Sequence, residues 1–184
     1  MMTMQSSRKT ATASQHLEQR FPPTASNRRS TKTSAQESKT KEYIIDDAEL
    51  ERVQRNYPVI WKNPNATPKL CFVGCPHLSL EQLKDWTVKL EAELKKNGKK
   101  KVTVPTVFTA APAVLEAFGK TEYADRLKAT GVITSYICPL MYMNNPLCKK
   151  MPVITSSNKL RTYTSARYYT DGEILTIITG GKQA

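Results

Sequence analysis

The amino-acid sequence predicts an α/β protein, with helices on both faces of a mostly parallel sheet in a three-layer α/β/α arrangement. Two observations lead to this fold class. Short apolar runs of strand length alternate with segments of helical periodicity, and Gly or Pro residues separate them. In addition, no apolar run of the 184 residues approaches the roughly 18–20 residues that cross a bilayer, so we expect no membrane association.

The first 41 residues differ in composition from the rest of the chain. They are rich in Ser and Thr, carry eight Lys/Arg against two Glu, and show no hydrophobic period. Such a segment buries too little apolar surface to fold. We therefore predict a disordered basic tail over 1–41 and a folded domain over 42–184. Four cysteines without regular pairing favour a reducing compartment, the cytoplasm, or the mitochondrion if the tail is a transit peptide.

The predicted domain opens with a helix. Asp46 as N-cap and Glu49 three residues later form a helix-start signature. Leu50 and Val53 recur on one face of this helix, which predicts a buried apolar side. Pro58 ends it.

The stretch around which the domain is organised begins with the apolar run 70–73, the pattern of a buried strand. Gly74 and Pro76 predict the end of that strand. Cys75 and His77 would then lie in the following turn, past the carboxyl end of the strand, where α/β sheets bind ligands.

A helix is predicted directly after this turn. Ser79 and Gln82 have the spacing of a capping box. Leu83 and Leu90 belong to the apolar stripe of the helix, and Gly98 is its C-terminal stop. The remaining pattern predicts strands over 102–109, 132–137 and 153–154, helices over 112–119, 122–129 and 172–178, and a loop over 144–148.

Chemically active residues follow four of the predicted strands. In chain order they are Cys75 with His77, Thr109, Cys138, and Ser157 with Lys159. Because parallel strands present their carboxyl ends at the same edge of a sheet, we expect these residues to meet there.

The thiols and the imidazole leave three interpretations open. They are an iron–sulfur cluster, a zinc site built from Cys75, His77, Cys138 and Cys148, and buried inert cysteines. The absence of a C-x-x-C pair does not choose between them. The polar turn after the fourth strand is a stronger signal, since Lys159 or Arg161 there can hold a carboxylate or phosphate. Its alternative is an ordinary polar turn.

Three ordered motifs resemble those of the aconitase X family, whose large catalytic subunits include relatives of mevalonate 5-phosphate dehydratase and cis-3-hydroxy-L-proline dehydratase. The motifs are Gly74-Cys75-Pro76-His77-Leu78-Ser79 followed by Leu83, Cys138-Pro139, and Thr155-x-Ser157-x-Lys159 followed by Tyr163. The similarity extends over about 46–181 and covers the latter part of the family's catalytic chain.

This resemblance implies an aconitase-like domain that acts as a hydro-lyase on a small hydroxy acid, with a 4Fe–4S or 2Fe–2S cluster as Lewis acid. It places Cys75 and Cys138 at cluster-ligand positions. It implies that Thr155, Ser157 and Lys159 face substrate, with Ser157 and Lys159 in catalytic roles. His77 and Arg161 are expected to bind substrate beside them.

The resemblance also implies partners. The earlier half of the catalytic domain and a small swivelling domain would complete the site. An inactive or partner-dependent remnant of such a domain is a second hypothesis. A third is nucleic-acid binding, either through the basic tail or by stacking on Tyr163, Tyr168 and Tyr169. The sequence favours it least, because the tail lacks interleaved aromatic residues.

Overall fold

A computed structural model of the protein describes residues 42–181, and the folded unit begins at Ile45. The predicted tail 1–41 lies outside the described residues, so the boundary at 41 stays a prediction. The helices are α1 Asp47–Arg55, α2 Leu80–Lys96, α3 Pro112–Gly119, α4 Glu122–Ala129, α5 Pro139–Met143, α6 Pro146–Lys150, α7 Asn158–Tyr163 and α8 Asp171–Ile178. The strands are β1 Leu70–Leu78, β2 Thr106–Ala110, β3 Ile133–Ser135, β4 Val153–Thr155 and β5 Arg167–Tyr168.

The five strands form one sheet in the order β3-β2-β1-β4-β5, and every neighbouring pair is parallel. This confirms the predicted fold class. Strand β1 occupies the centre: Phe72 lies in register with Val107 of β2 on one side and with Thr155 of β4 on the other. The connections that follow β1, β2 and β4 therefore reach neighbouring positions at the carboxyl edge.

Two apolar cores cover the faces of the sheet. Cys71 and Val73 of β1 belong to the larger core, which α2 shares with α3, α4 and α8. Phe72, which points to the opposite face, packs in the smaller core with Met143 of α5 and Leu160 of α7. The sheet thus lies between two helical layers. No helix within 42–181 is both long and apolar enough to cross a bilayer.

The predicted helix starts are largely confirmed. Ser79 caps α2 through its hydroxyl, which accepts a hydrogen bond from the backbone N–H of Gln82, while the Gln82 side chain accepts one from the backbone N–H of Ser79. Asp46 caps α1 by accepting a hydrogen bond from the Glu49 N–H at 2.8 Å. The buried apolar side predicted for α1 is wrong, because none of its residues is buried.

Three further predictions about secondary structure are corrected, and one strand was missed. The central strand does not stop at Gly74 but continues through 74–78 with a shift of register. The loop predicted over 144–148 contains most of α6, whose N-cap Asn145 accepts a hydrogen bond from Leu147 N–H. The polar turn after β4 becomes helix α7 at Asn158. Strand β5 has only two residues, too few for an alternating pattern to reveal.

Candidate functional site

A cleft of about 200 Å³ opens at the carboxyl edge of the sheet, where β1 and β4 end. We call it the carboxyl-edge cleft, and its lining includes Gly74, Cys75, His77, Gln82, Ser156, Ser157 and Asp171. Cys75 and Ser157 are buried, whereas His77 and Asp171 are exposed. The structure therefore brings together residues from the end of β1, the end of β4 and the start of α8.

The shape of the cleft depends on Gly74. Its φ of +108° is one that side-chain-bearing residues rarely adopt. A Cβ at this position would lie 2.3 Å from the carbonyl oxygen of Thr109. Thr109 holds the same segment through its hydroxyl, which donates to the Gly74 carbonyl at 2.5 Å. Thr109 therefore holds the bend of β1 in place but does not itself line the cleft.

The bend also decides where Cys75 lies. Simple alternation would put Cys75 on the same face as Cys71 and Val73. Instead it packs in the smaller core, on the face of Phe72, because the register shifts between Val73 and Leu78. The thiol is therefore next to both the carboxyl-edge cleft and an apolar shell.

Ser157 joins the two central strand ends. Its hydroxyl donates a short hydrogen bond to the carbonyl oxygen of Cys75 and accepts one from the backbone N–H of Leu160 at 3.0 Å. It is thus the N-cap of α7 and a link between β1 and β4. The Ser157 backbone N–H in turn donates to the hydroxyl of Thr155 at 3.1 Å.

The other predicted substrate-facing residues are distributed more widely. Thr155 is fully buried beneath the cleft. Lys159 is exposed on the first turn of α7 and does not line the carboxyl-edge cleft. Arg161 lies two residues further along, lines a different cleft, and donates through Nε to the Asn158 side chain at 2.6 Å. Of the five predicted residues, His77 and Ser157 therefore line the same cleft.

The predicted cluster ligand Cys138 is partly buried and is the N-cap residue of α5. Helix α5 is fixed on the sheet, because the Tyr142 ring stacks on Phe72 with 5.3 Å between ring centroids. Leu140 and Met143 of α5 pack in the same core as Cys75. Helix α5, which Cys138 precedes, thus returns from the edge strand β3 to the centre of the sheet.

The cysteines match an iron–sulfur cluster in donor type, and the apolar surroundings of Cys75 match the shell that such clusters need. Within residues 42–181, however, no three His, Cys, Asp or Glu side chains form a metal-binding group. The four-ligand zinc site is therefore not formed by the described residues. Cys71 is fully buried, and burial raises the pKa of its thiol, so it behaves as an inert apolar residue.

Asp171 was missed as a site residue. Its sequence position predicts only the first turn of a helix, where carboxylates are common. Its place in the cleft depends on the short strand β5, which brings the start of α8 beside the end of β4. Gln82 was seen only as a helix cap, although it also lines the cleft.

These features define an α/β/α domain with a thiol, an imidazole and a carboxylate at the carboxyl edge of a parallel sheet. A sequence model of the aconitase X third domain matches residues 68–176, more than half of the chain. The chain belongs to the aconitase X family, as its motifs indicate.

Among solved structures, the chain is similar to the crystal structure of Thermococcus kodakaraensis aconitase X in its holo-form, with a TM-score of 0.56 and 19% sequence identity. The match covers 82% of this chain and 38% of that chain. At this identity the likeness establishes the shared fold. No curated protein sequence matches the chain significantly.

Proposed function

We propose that this chain forms part of a hydro-lyase active site that removes water from a small hydroxy acid, with an iron–sulfur cluster held by Cys75 and Cys138. The observation that carries this proposal is the meeting of Cys75, His77 and Asp171 in the carboxyl-edge cleft. Membership of the aconitase X family supports the hydro-lyase class.

The cluster, when bound, would supply a Lewis-acidic iron for the leaving hydroxyl group. Cys75 suits a ligand role because Phe72 and Met143 surround it with apolar atoms and exclude water. The remaining ligands would come from further polypeptide, since the chain spans 38% of the length of the solved aconitase X. Exposed apolar side chains near Cys138, namely Tyr136 and Met141, support a covering partner there.

Dehydration breaks a C–H bond and a C–O bond, so the site needs a base for the proton and an acid for the departing hydroxide, which leaves as water. We assign these proton transfers to His77 and Asp171, because both are exposed in the carboxyl-edge cleft. The hydroxyl of Ser157 already donates to the Cys75 carbonyl, so its role is to hold the thiol-bearing backbone in place. Lys159, which is exposed on the first turn of α7, would attract the substrate carboxylate.

The test is anaerobic reconstitution, with iron and sulfide, of the full chain together with the rest of an aconitase X catalytic unit, followed by measurement of bound iron and of the thiolate-to-iron absorption at about 400 nm. We expect Cys75→Ser and Cys138→Ser each to lower both signals. Cys148→Ser is the matched control: Cys148, like Cys138, is partly buried and does not line the carboxyl-edge cleft, but it stands outside the three family motifs. A reconstituted chain without iron, or equal losses in all three variants, would contradict the proposal.

The proton-transfer roles are tested separately, on the reconstituted chain together with the rest of an aconitase X catalytic unit. His77→Gln and Asp171→Asn should lower kcat for dehydration while leaving bound iron unchanged. Variants that keep full kcat would remove these residues from the mechanism without affecting the cluster assignment.

A further inference from the structure

A second cleft, of about 320 Å³, lies beside β5 and between the end of α1, α7 and the start of α8. We call it the arginine–tyrosine cleft, and its principal lining residues are Tyr57, Arg161, Arg167, Tyr168, Tyr169 and Glu173. It shares no lining residue with the carboxyl-edge cleft. The reaction proposed above makes no use of it.

Aromatic rings hold its two central arginines in place. The guanidinium carbon of Arg161 lies 3.2 Å from the ring centroid of Tyr57. That of Arg167 lies 5.1 Å from the ring centroid of Tyr169, and its Nη1 donates to the Pro64 carbonyl at 2.9 Å. A guanidinium group stacked in this way keeps N–H donors at its edge for a ligand. Since both side chains are already ordered, binding costs less conformational entropy.

The charges around these arginines are unbalanced. Among residues 42–181, neither Arg161 nor Arg167 forms an ion pair with a carboxylate. Arg55, which also lines the cleft, is paired with Glu51 at 2.9 Å. The Glu173 carboxylate also lines the cleft, and one of its oxygens accepts hydrogen bonds from the N–H and hydroxyl of Thr170.

Two guanidinium groups against one lining carboxylate, that of Glu173, leave the cleft with a net positive charge, which suits an anion whose acceptor oxygens can reach both arginines. A phosphoryl group carries about −1.5 to −2 charges at pH 7 and three acceptor oxygens. Partial burial raises the pKa values of Tyr168 and Tyr169, so both phenols remain protonated at neutral pH and keep their hydrogen-bond donors. The cleft therefore offers donors and positive charge together.

We propose that the arginine–tyrosine cleft binds a phosphoryl group, as inorganic phosphate or as the phosphate of a small phosphomonoester, through Arg161 and Arg167. Both ligands share the same recognition chemistry. The volume of the cleft leaves room beside the phosphoryl group for a small organic substituent.

Isothermal titration calorimetry of the full chain, in a buffer free of phosphate and sulfate, tests this proposal. The probes are inorganic phosphate, phenyl phosphate and succinate. We expect both phosphoryl compounds to bind and Arg161→Gln and Arg167→Gln each to weaken binding about tenfold or more. Arg161→Lys should recover only part of the loss, because lysine keeps the charge but not the planar donor edge.

The matched control is Arg126→Gln. Arg126 also stacks on a tyrosine, with 4.7 Å to the Tyr123 ring centroid, but it is paired with Glu91 and lies outside the cleft. Tighter binding of phenyl phosphate than of phosphate would identify an ester as the preferred ligand, and equal binding would identify phosphate. Succinate binding as tight as phosphate, no phosphoryl binding, or equal losses in Arg126→Gln would overturn the proposal. None of these results depends on iron loading.

Discussion

The substitution Gly74→Ala tests the bend of β1 that places Cys75 at the cleft. Two costs follow from the structure. Holding a non-glycine residue at positive φ costs about 1–2 kcal/mol. Inserting a methyl group into packed surroundings costs about 1–3 kcal/mol more, and here the new Cβ would lie 2.3 Å from the Thr109 carbonyl oxygen. Thr109 is fully buried on β2, so it has little freedom to withdraw.

Gly98→Ala supplies the reference for the first cost alone. Gly98 also has positive φ, +63°, but a Cβ there would meet nothing within 4 Å. Urea unfolding followed by far-UV circular dichroism should therefore show a loss of roughly 2–5 kcal/mol for Gly74→Ala and roughly 1–2 kcal/mol for Gly98→Ala. Equal losses in the two variants would refute the close approach of β1 and β2 at this point.

Two further predictions, on Ser157 and on Cys71, concern the same region of the sheet. Ser157→Ala removes the cap of α7 and a buried hydrogen bond across the strand ends, so the free energy of unfolding should fall by about 2–3 kcal/mol. Ser156 is half-buried and has no side-chain hydrogen bond among the described residues, so Ser156→Ala should change the free energy of unfolding by less than about 0.5 kcal/mol. Equal losses in the two variants would contradict the role of Ser157 as a cap and a link between the strand ends. Burial raises the pKa of the Cys71 thiol in the folded chain. Above about pH 9 the thiol therefore loses its proton in the unfolded chain but keeps it in the folded chain. The free energy of unfolding then falls as pH rises, by up to about 1.4 kcal/mol per pH unit. Cys71→Ala should flatten that decline in urea titrations at pH 8 to 10.5, and an unchanged slope would show that other groups cause it.

Local sequence signals predicted the elements that position the site. The capping box at Ser79 marked the start of α2, and the apolar run 70–73 marked the central strand. Parallel alternation then predicted that the residues after four strands would meet at one edge of the sheet. The structure joins Cys75 to Ser157 there and adds His77, whereas Thr109, Cys138 and Lys159 do not line the cleft. These features depend on neighbours within a few residues or on a general rule of sheet topology.

The missed features depend on contacts distant in sequence. Gly74 looks like a strand terminator by itself, and only the carbonyl of Thr109, 35 positions away, shows why the strand bends and continues. Asp171 lines the cleft because β5 pairs with β4. Strand β5 has only two residues, too few to show a hydrophobic period in the sequence. Arg161 was grouped with Lys159 by sequence, yet stacking on Tyr57 directs it to the arginine–tyrosine cleft.

The most direct measurement is an anaerobic crystal structure of the full chain reconstituted together with the rest of an aconitase X catalytic unit. The proposed function predicts that the Sγ atoms of Cys75 and Cys138 are both bonded to iron atoms of one cluster, with His77 and Asp171 facing it across the carboxyl-edge cleft. Iron bound elsewhere, or the two sulfur atoms in separate sites, would contradict the account of how this sheet edge performs chemistry.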